Sequence, residues 1–346
     1  MHYTLNFPAG QTEYYLNASY SQLLQVAPVS NTIIITDENV HRHYGHLFTE
    51  YRVLIIDAGE SSKSWETIQQ LAEKLVHFDA HKTSVLLGIG GGVVCDIVGF
   101  LATIYMRGVA FAFVPTTLLA MVDASVGGKN GVNVGLNKNI LGTIRQPKFI
   151  LYDSSFLETL PGEEWSSGFA EIIKYACIGD SLLFEQLLQS SIVSFQNNPT
   201  ELNRLIAQCV MQKNRIVLED EQEKNVRKTL NFGHTAGHAF ETIYYLKHGH
   251  AVALGMILSL IVSERVLGFP AEIRPKFKTL LEHYDLPVQL KFEVDKVLKI
   301  ILHDKKRNNE FIDFVLLKDI GQSVIHPLSF EAISSALQIF LDEYQP

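Results

Sequence analysis

The spacing of apolar residues changes character partway along the chain. Near the start, "NTIIIT" and "RVLIID" are short β-branched runs of the kind that form buried strands. "SWETIQQLAEKLVHF" then sets Ile68, Leu71, Leu75 and Phe78 on one stripe at helical spacing. "TSVLLGIGGG" reads as another buried strand ending in glycines, "VVCDIVGFLATIYM" as an apolar helix and "VAFAFVP" as a further strand. This alternation predicts a mostly parallel sheet covered by helices on both faces. After "LETLPGEEW" long helical patterns take over, as in "NRLIAQCVMQKNRIVLEDE" and "HAVALGMILSLIVSERVLG", with little strand signal before "FIDFVLL". The expectation is an α/β domain over 1–160 and a mostly α-helical domain over 161–346. Neither repeats nor low-complexity tracts interrupt it.

Composition narrows the function classes. A chain of 346 residues is longer than one core usually carries, which agrees with two domains. With 47% apolar residues it has ordinary globular composition. Its 29 basic and 37 acidic residues leave a net charge of −8, which argues against a nucleic-acid or anionic-membrane partner. Clustered cations in such a chain suit a small anionic ligand. Cys95, Cys177 and Cys209 are far apart and form no CxxC pair, so neither a disulfide framework nor a thiolate zinc site is indicated. "MHYTLNFPAG" lacks the basic and apolar regions of a signal peptide, and "AVALGMIL" is far short of a membrane span. A soluble, cytoplasmic protein is expected.

Four stretches carry candidate chemistry. In "LLGIGGGVVCD" a strand runs through Gly88, Gly90, Gly91 and Gly92 into a helix, a turn that lets backbone approach a phosphate at a helix N-terminus. The dinucleotide fingerprint GxGxxG would need glycine at Val93, and no GK[ST] follows, so the ligand class stays open; a tight turn without ligand is the bland alternative. "PTTLLAMVDASVGGKNGVNVGLNKNILG" reads as a long loop bearing Asp123, Lys129, Lys138 and Asn139. Thr116 and Thr117 at its start suit either a ligand or a helix cap, capping being commoner. In "GFAEIIKYA", Glu171 and Lys174 form an i, i+3 pair on an apolar helix, where a buried carboxylate needs a partner or a metal.

The fourth stretch, "VRKTLNFGHTAGH", spaces Arg227, Asn231, His234 and His238 four, three and four apart, one face if the helix is continuous. One histidine there would be an ordinary core residue. Two, with His248 nearby and a buried glutamate, are better explained by a His₂Glu metal site with an open fourth position.

Taken in order, "DAGESSK", "GGGVVCD", "YMRG", "VPTTLLAMVDASVGGK", "LNKN", "SGFAEIIKYA", "TLNFGHTAGHAFE", "HGHAVALGM" and "HDKK" resemble the motifs of the 3-dehydroquinate synthase family, the sugar-phosphate cyclases of the shikimate pathway. The resemblance runs over nearly the whole length. It implies a Rossmann-like sheet domain followed by a helical domain, NAD and Zn²⁺ (with Co²⁺ as an alternative) as cofactors, and a sugar acid phosphate as substrate. The family's zinc ligands fall on Glu171, His234 and His248. His238 is implied to face the substrate and handle protons and phosphate. NAD is implied to lie along Asp37, Asn39, Gly59, Glu60, Lys63, Gly91, Gly92, Val93, Asp96, Thr116, Thr117, Lys129, Lys138, Phe156, Leu157 and Thr159. The implied substrate set is Arg107, Asp123, Lys129, Lys138, Asn139, Lys174, Lys213, Arg227, Asn231 and the Lys305/Lys306 pair. Arg107 is implied to reach a neighbouring subunit's phosphate site, which makes the protein a homodimer.

Two departures stand out. Cys95 occupies a position where the family has glycine, which would crowd the turn if its φ were positive. His250 stands where the HGEAV motif has glutamate and offers a second imidazole beside His248. The rival readings are a sister cyclase such as 2-deoxy-scyllo-inosose synthase, whose substrate has no carboxylate, a metal- and NAD-dependent polyol dehydrogenase, and a cofactor-binding paralogue without activity. The number of anion-directed cations disfavours the dehydrogenase, and the intact ligand set disfavours the inactive paralogue.

Overall fold

The computed structural model describes residues 1–135, 137–304 and 311–344. The chain divides into two compact units, Met1–Pro161 with Pro199–Gln222, and Gly162–Asn198 with Glu223–Pro346.

The first unit is built on a seven-stranded sheet. Its strands are β1 (His2–Phe7), β2 (Gly10–Tyr15), β3 (Thr32–Asp37), β4 (Arg52–Ile56), β5 (Val85–Gly90) and β6 (Ala110–Pro115). A separate hairpin, β7 (Lys129–Val134) and β8 (Asn137–Ile144), precedes the seventh sheet strand, β9 (Phe149–Leu151). The order is β1-β2-β9-β6-β5-β3-β4, antiparallel only between β1 and β2. The β-branched runs become interior strands because both faces are covered: Ile33, Ile34 and Ile35 are all fully buried. Ile34, Leu87, Ile89, Ala112, Val114, Phe149, Leu151 and Phe156 share one core cluster.

Two expectations change here. The stretch after Pro115 is not one long loop. A π-helical turn at Ala120–Ala124 leads into the β7–β8 hairpin, whose β8 strand is mostly exposed. The Pro199–Glu219 helix, assigned from sequence to the helical domain, belongs to the first unit. Its amphipathic period announces a helix but not which core it joins. Tyr14 of β2 donates to Asn214 Oδ1 at 2.8 Å, and the buried Lys213 reaches Asp123.

Among its described residues the second unit is helical apart from one antiparallel hairpin, β10 (Phe311–Asp319) with β11 (Gln322–Ser329). Its centre is the His248–Leu267 helix. By length and composition this helix could cross a membrane, yet 72% of its most apolar window is buried inside the protein. It is a core helix. The segment around the first histidines is not continuous helix: a 3₁₀ turn at Val226–Asn231 gives way to Gly233 in the left-handed region, and an α-helix then spans His234–Tyr244. Arg227 and Asn231 therefore do not share one helical face with His234 and His238.

Candidate metal centre and cofactor cradle

Three helices of the second unit bring Glu171, His234 and His248 together. Glu171 lies on the Gly162–Gly179 helix, where every residue from Trp165 to Ile178 is buried. The other two start the helices His234–Tyr244 and His248–Leu267. Small residues permit the approach. A Cβ on Gly255 would collide with the carbonyl of Gly233, and one on Gly249 with the backbone of Ser167. Gly249 N–H donates to Ser167 Oγ at 3.0 Å, pinning the start of one histidine helix to the helix that carries Glu171.

The result is a converging donor set. Glu171 Oε1 is 3.4 Å from His234 Nε2 and 3.2 Å from His248 Nε2, and the three ligand atoms lie within 4.8 Å of one another. Zinc bonds of about 2.1 Å at tetrahedral angles separate neighbouring ligand atoms by roughly 3.4 Å. The residues fit a divalent cation in size and in chemistry.

Burial alone would raise the Glu171 carboxyl, but the Lys174 ammonium and the two imidazoles outweigh it and hold the group well below the usual carboxylate range. Lys174 pairs with the other carboxylate oxygen and sits 4.9 Å from the Tyr175 ring centroid. Burial works to lower His248, yet hydrogen bonding and charge from Glu171 and Glu241 raise it to about 10. His238 stands beside the group, its ring 5.4 Å from that of His234 and 6.4 Å from that of His248, without being one of the three converging donors. Arg227 is almost fully buried, and Asn231 Nδ2 donates to Glu223 Oε1 at 3.0 Å.

In the first unit the glycine turn ends at Gly91, which caps the Gly92–Ile104 helix without any side-chain hydrogen bond. That leaves the first N–H groups pointing out of the helix end, the arrangement that receives a phosphate. Val93 and Asp96 lie on the first turns of this helix, and Lys63 pairs with Asp96. Cys95 is also in the helix and buried, so its backbone is relaxed and the feared crowding of the turn does not arise. The two threonines separate: Thr117 Oγ1 accepts from Ala120 N–H at 3.1 Å, as a cap should, whereas the buried Thr116 Oγ1 has no hydrogen-bond partner among the described residues. An orphaned buried hydroxyl at the carboxyl end of a central strand fits a cofactor atom.

The rest of this cradle is mixed. Asp37 Oδ1 accepts from Asn39 N–H at 2.9 Å and caps a helix. Gly59 has φ of +99°, and Glu60 accepts from Asn133 Nδ2 at 2.8 Å. Phe156 and Leu157 are core residues, while Thr159 Oγ1 is 2.9 Å from the Tyr44 hydroxyl. Lys129 opens β7 and Lys138 lies on β8, both exposed; Asn139 has φ of +53° and donates its N–H to Asn133 Oδ1 at 2.9 Å. Arg107 is exposed in a left-handed turn with Met106, and Lys82 Nζ donates to the carbonyls of Met106 and Gly108. Lys305 and Lys306 lie outside the described residues. Sequence reasoning passed over Asn133, Lys82 and Glu241. Glu241 had a signal, since it follows His234 by seven positions and His238 by three on one helix face.

Comparison with known proteins follows the same lines. The family described as 3-dehydroquinate synthase N-terminal matches residues 53–167, and 3-dehydroquinate synthase C-terminal matches 168–307. A 3-dehydroquinate synthase from Leptospira interrogans is 36% identical over 332 residues, covering 93% of this chain and 92% of its own. One from Bacillus pumilus is 38% identical, covering 94% and 89%. Among solved structures, 2-epi-5-epi-valiolone synthase from Streptomyces hygroscopicus with NAD⁺ and Zn²⁺ bound matches with a TM-score of 0.86 at 26% identity, covering 96% of each chain. A 2-deoxy-scyllo-inosose synthase complexed with carbaglucose-6-phosphate, NAD⁺ and Co²⁺ shares the fold, with a TM-score of 0.85 at 24% identity over 98% of this chain and 99% of its own. With both halves matched and near-complete coverage of such relatives, the chain belongs to the 3-dehydroquinate synthase family.

Proposed function

We propose that the protein is a phosphate-eliminating carbon–oxygen lyase that converts 3-deoxy-D-arabino-heptulosonate 7-phosphate to 3-dehydroquinate and phosphate. The observation that carries this reading is the convergence of Glu171, His234 and His248 in a chain of this family. A bound cation would supply Lewis acidity to neighbouring substrate hydroxyls, and bound NAD⁺ would supply a reversible hydride acceptor.

The protein's own residues do the rest. Glu171, His234 and His248 hold the cation, and Lys174 keeps the ligand carboxylate ionised. Gly91, Gly92, Val93 and Thr116 receive the dinucleotide, with Lys63 and Asp96 beside them. Lys129, Lys138, Lys213 and Arg227 concentrate positive charge on the substrate's phosphate and carboxylate, which an acidic chain must do locally. Asp123, Asn139 and Asn231 orient its hydroxyls. His238, close to the cation but outside its ligand set, moves the proton from the carbon beside the transient ketone so that phosphate departs. Ring opening and an intramolecular aldol closure of the substrate then complete the carbocycle. Arg107, presented on its left-handed turn, completes the phosphate site of a second subunit, so the working form is a homodimer in the cytoplasm.

Incubation of the purified protein with this substrate, NAD⁺ and zinc tests the proposal. One phosphate should be released per carbocycle formed, with no build-up of NADH. Stoichiometric NADH would contradict the cycle, and cyclisation of glucose 6-phosphate in place of the acid would move the chain to the sister cyclases.

A further inference from the structure

The replacement of a motif glutamate by His250 places two imidazoles, His248 and His250, two positions apart at the start of one helix. Something has to decide which of them, and which ring nitrogen, is offered to the cation. We infer that Glu241 is a positioning residue for the metal centre, its carboxylate facing His248 Nδ1 so that Nε2 is the nitrogen presented beside Glu171.

Four observations support this. Glu241 Oε2 lies 3.7 Å from His248 Nδ1, with the Glu241 side chain only 10% exposed. That distance is in ion-pair range but beyond a hydrogen bond, so the carboxylate acts on the ring by charge and closes to a bond if the ring turns towards it. His234 is arranged alike: its Nδ1 is 3.2 Å from the Phe232 carbonyl while its Nε2 faces Glu171. Both histidines thus present the same nitrogen inward and turn the other towards an oxygen acceptor. A neutral imidazole has one N–H and one lone pair, so an acceptor at Nδ1 holds the hydrogen there and frees the Nε2 lone pair for a metal.

His250, by contrast, has its charged neighbours in Glu163, Lys247 and Glu164, and its buried Nε2 has no hydrogen-bond partner among the described residues. No acceptor among the described residues meets that nitrogen. Finally, the backbone at His248 is already fixed by the close seat of Gly249 on Ser167. Ring rotation is the freedom left, and Glu241 is placed on a rigid helix to limit it.

The inference rests on the reading of Glu171, His234 and His248 as the cation's ligands, and one titration separates the two. Chelator-stripped wild type, E241A and E241Q are titrated with zinc against a chromogenic competitor, with NAD⁺ affinity measured alongside. Outer carboxylates of this kind are worth about 10–100-fold in metal affinity. E241A should weaken zinc binding by that factor. E241Q, which loses the charge but keeps an oxygen that accepts from Nδ1–H when the ring turns towards it, should weaken it less. NAD⁺ affinity should be unchanged in both. Cobalt-substituted E241A should show an altered visible spectrum as the ring loses its orientation. Wild-type zinc affinity in both variants would overturn the role of Glu241, whereas wild type that binds no zinc would overturn the ligand assignment beneath it.

Discussion

Lys213 reaches across ninety residues of sequence to grip Asp123, its ammonium donating to both Oδ1 at 2.8 Å and the main-chain oxygen at 2.7 Å. The two side chains are 8% and 22% exposed, so solvent screens the pair only partly. Lys213→Met leaves the Asp123 carboxylate without this donor and should destabilise the fold by about 1–3 kcal/mol. It should also raise the KM for the sugar acid phosphate more than it lowers kcat. Urea midpoints and steady-state kinetics on one preparation check both. An unchanged KM would confine Lys213 to a structural role.

Thr116 and Thr117 should respond oppositely to loss of a hydroxyl. Thr117→Val removes the cap that receives Ala120 N–H and should cost about 1 kcal/mol of stability. Thr116→Val removes a buried hydroxyl with no hydrogen-bond partner among the described residues and should leave the cofactor-free protein as stable or slightly more so. The same change should weaken NAD⁺ binding several-fold. Thermal melts with and without NAD⁺ separate these effects, and equal NAD⁺ affinity in Thr116→Val would remove the hydroxyl from the cofactor site.

Close helix packing makes the metal centre sensitive to one methyl group. Gly255→Ala drives a Cβ into the backbone of Gly233 and Gly237, atoms that cannot swing aside. Overpacking of this kind costs about 1–3 kcal/mol, and here it also displaces the helix bearing His234. The variant should melt lower and bind zinc more weakly. Gly162→Ala, where nothing lies within contact distance of the added Cβ, should do neither.

The two histidines of the His234–Tyr244 helix should separate by role. His234→Ala removes a converging donor, so zinc and turnover should be lost together. His238→Ala should keep zinc at wild-type stoichiometry and lose turnover. Metal analysis of dialysed protein beside the turnover assay reads both. Loss of zinc from His238→Ala would mean the roles are exchanged.

Much of this architecture could be read in the sequence, for identifiable reasons. Ile33–Ile35 and the run through Leu87 and Ile89 are buried on both faces, and such strands have no polar alternation to confuse with helix. The β1–β2 hairpin passed unnoticed because it lies at the sheet edge, where polar residues such as Thr4, Gln11 and Glu13 dilute the signal. Gly233 broke an expected helix, since spacing cannot report a left-handed φ. At the metal centre residue type and motif order named the three donors, but no sequence pattern stated that Gly255 and Gly249 were what let them meet. Thr116 and Thr117 were indistinguishable until one proved to be a cap. The role of Glu241 needed coordinates as well, because it depends on which nitrogen of His248 faces which carboxylate.

Anomalous diffraction at the zinc edge, from crystals grown with zinc, tests the central claim most directly. The expected result is a single strong peak bonded to Glu171 Oε1, His234 Nε2 and His248 Nε2, with a fourth position left for substrate or water. A peak seated on His250 and Glu163, or no peak near Glu171, would contradict it.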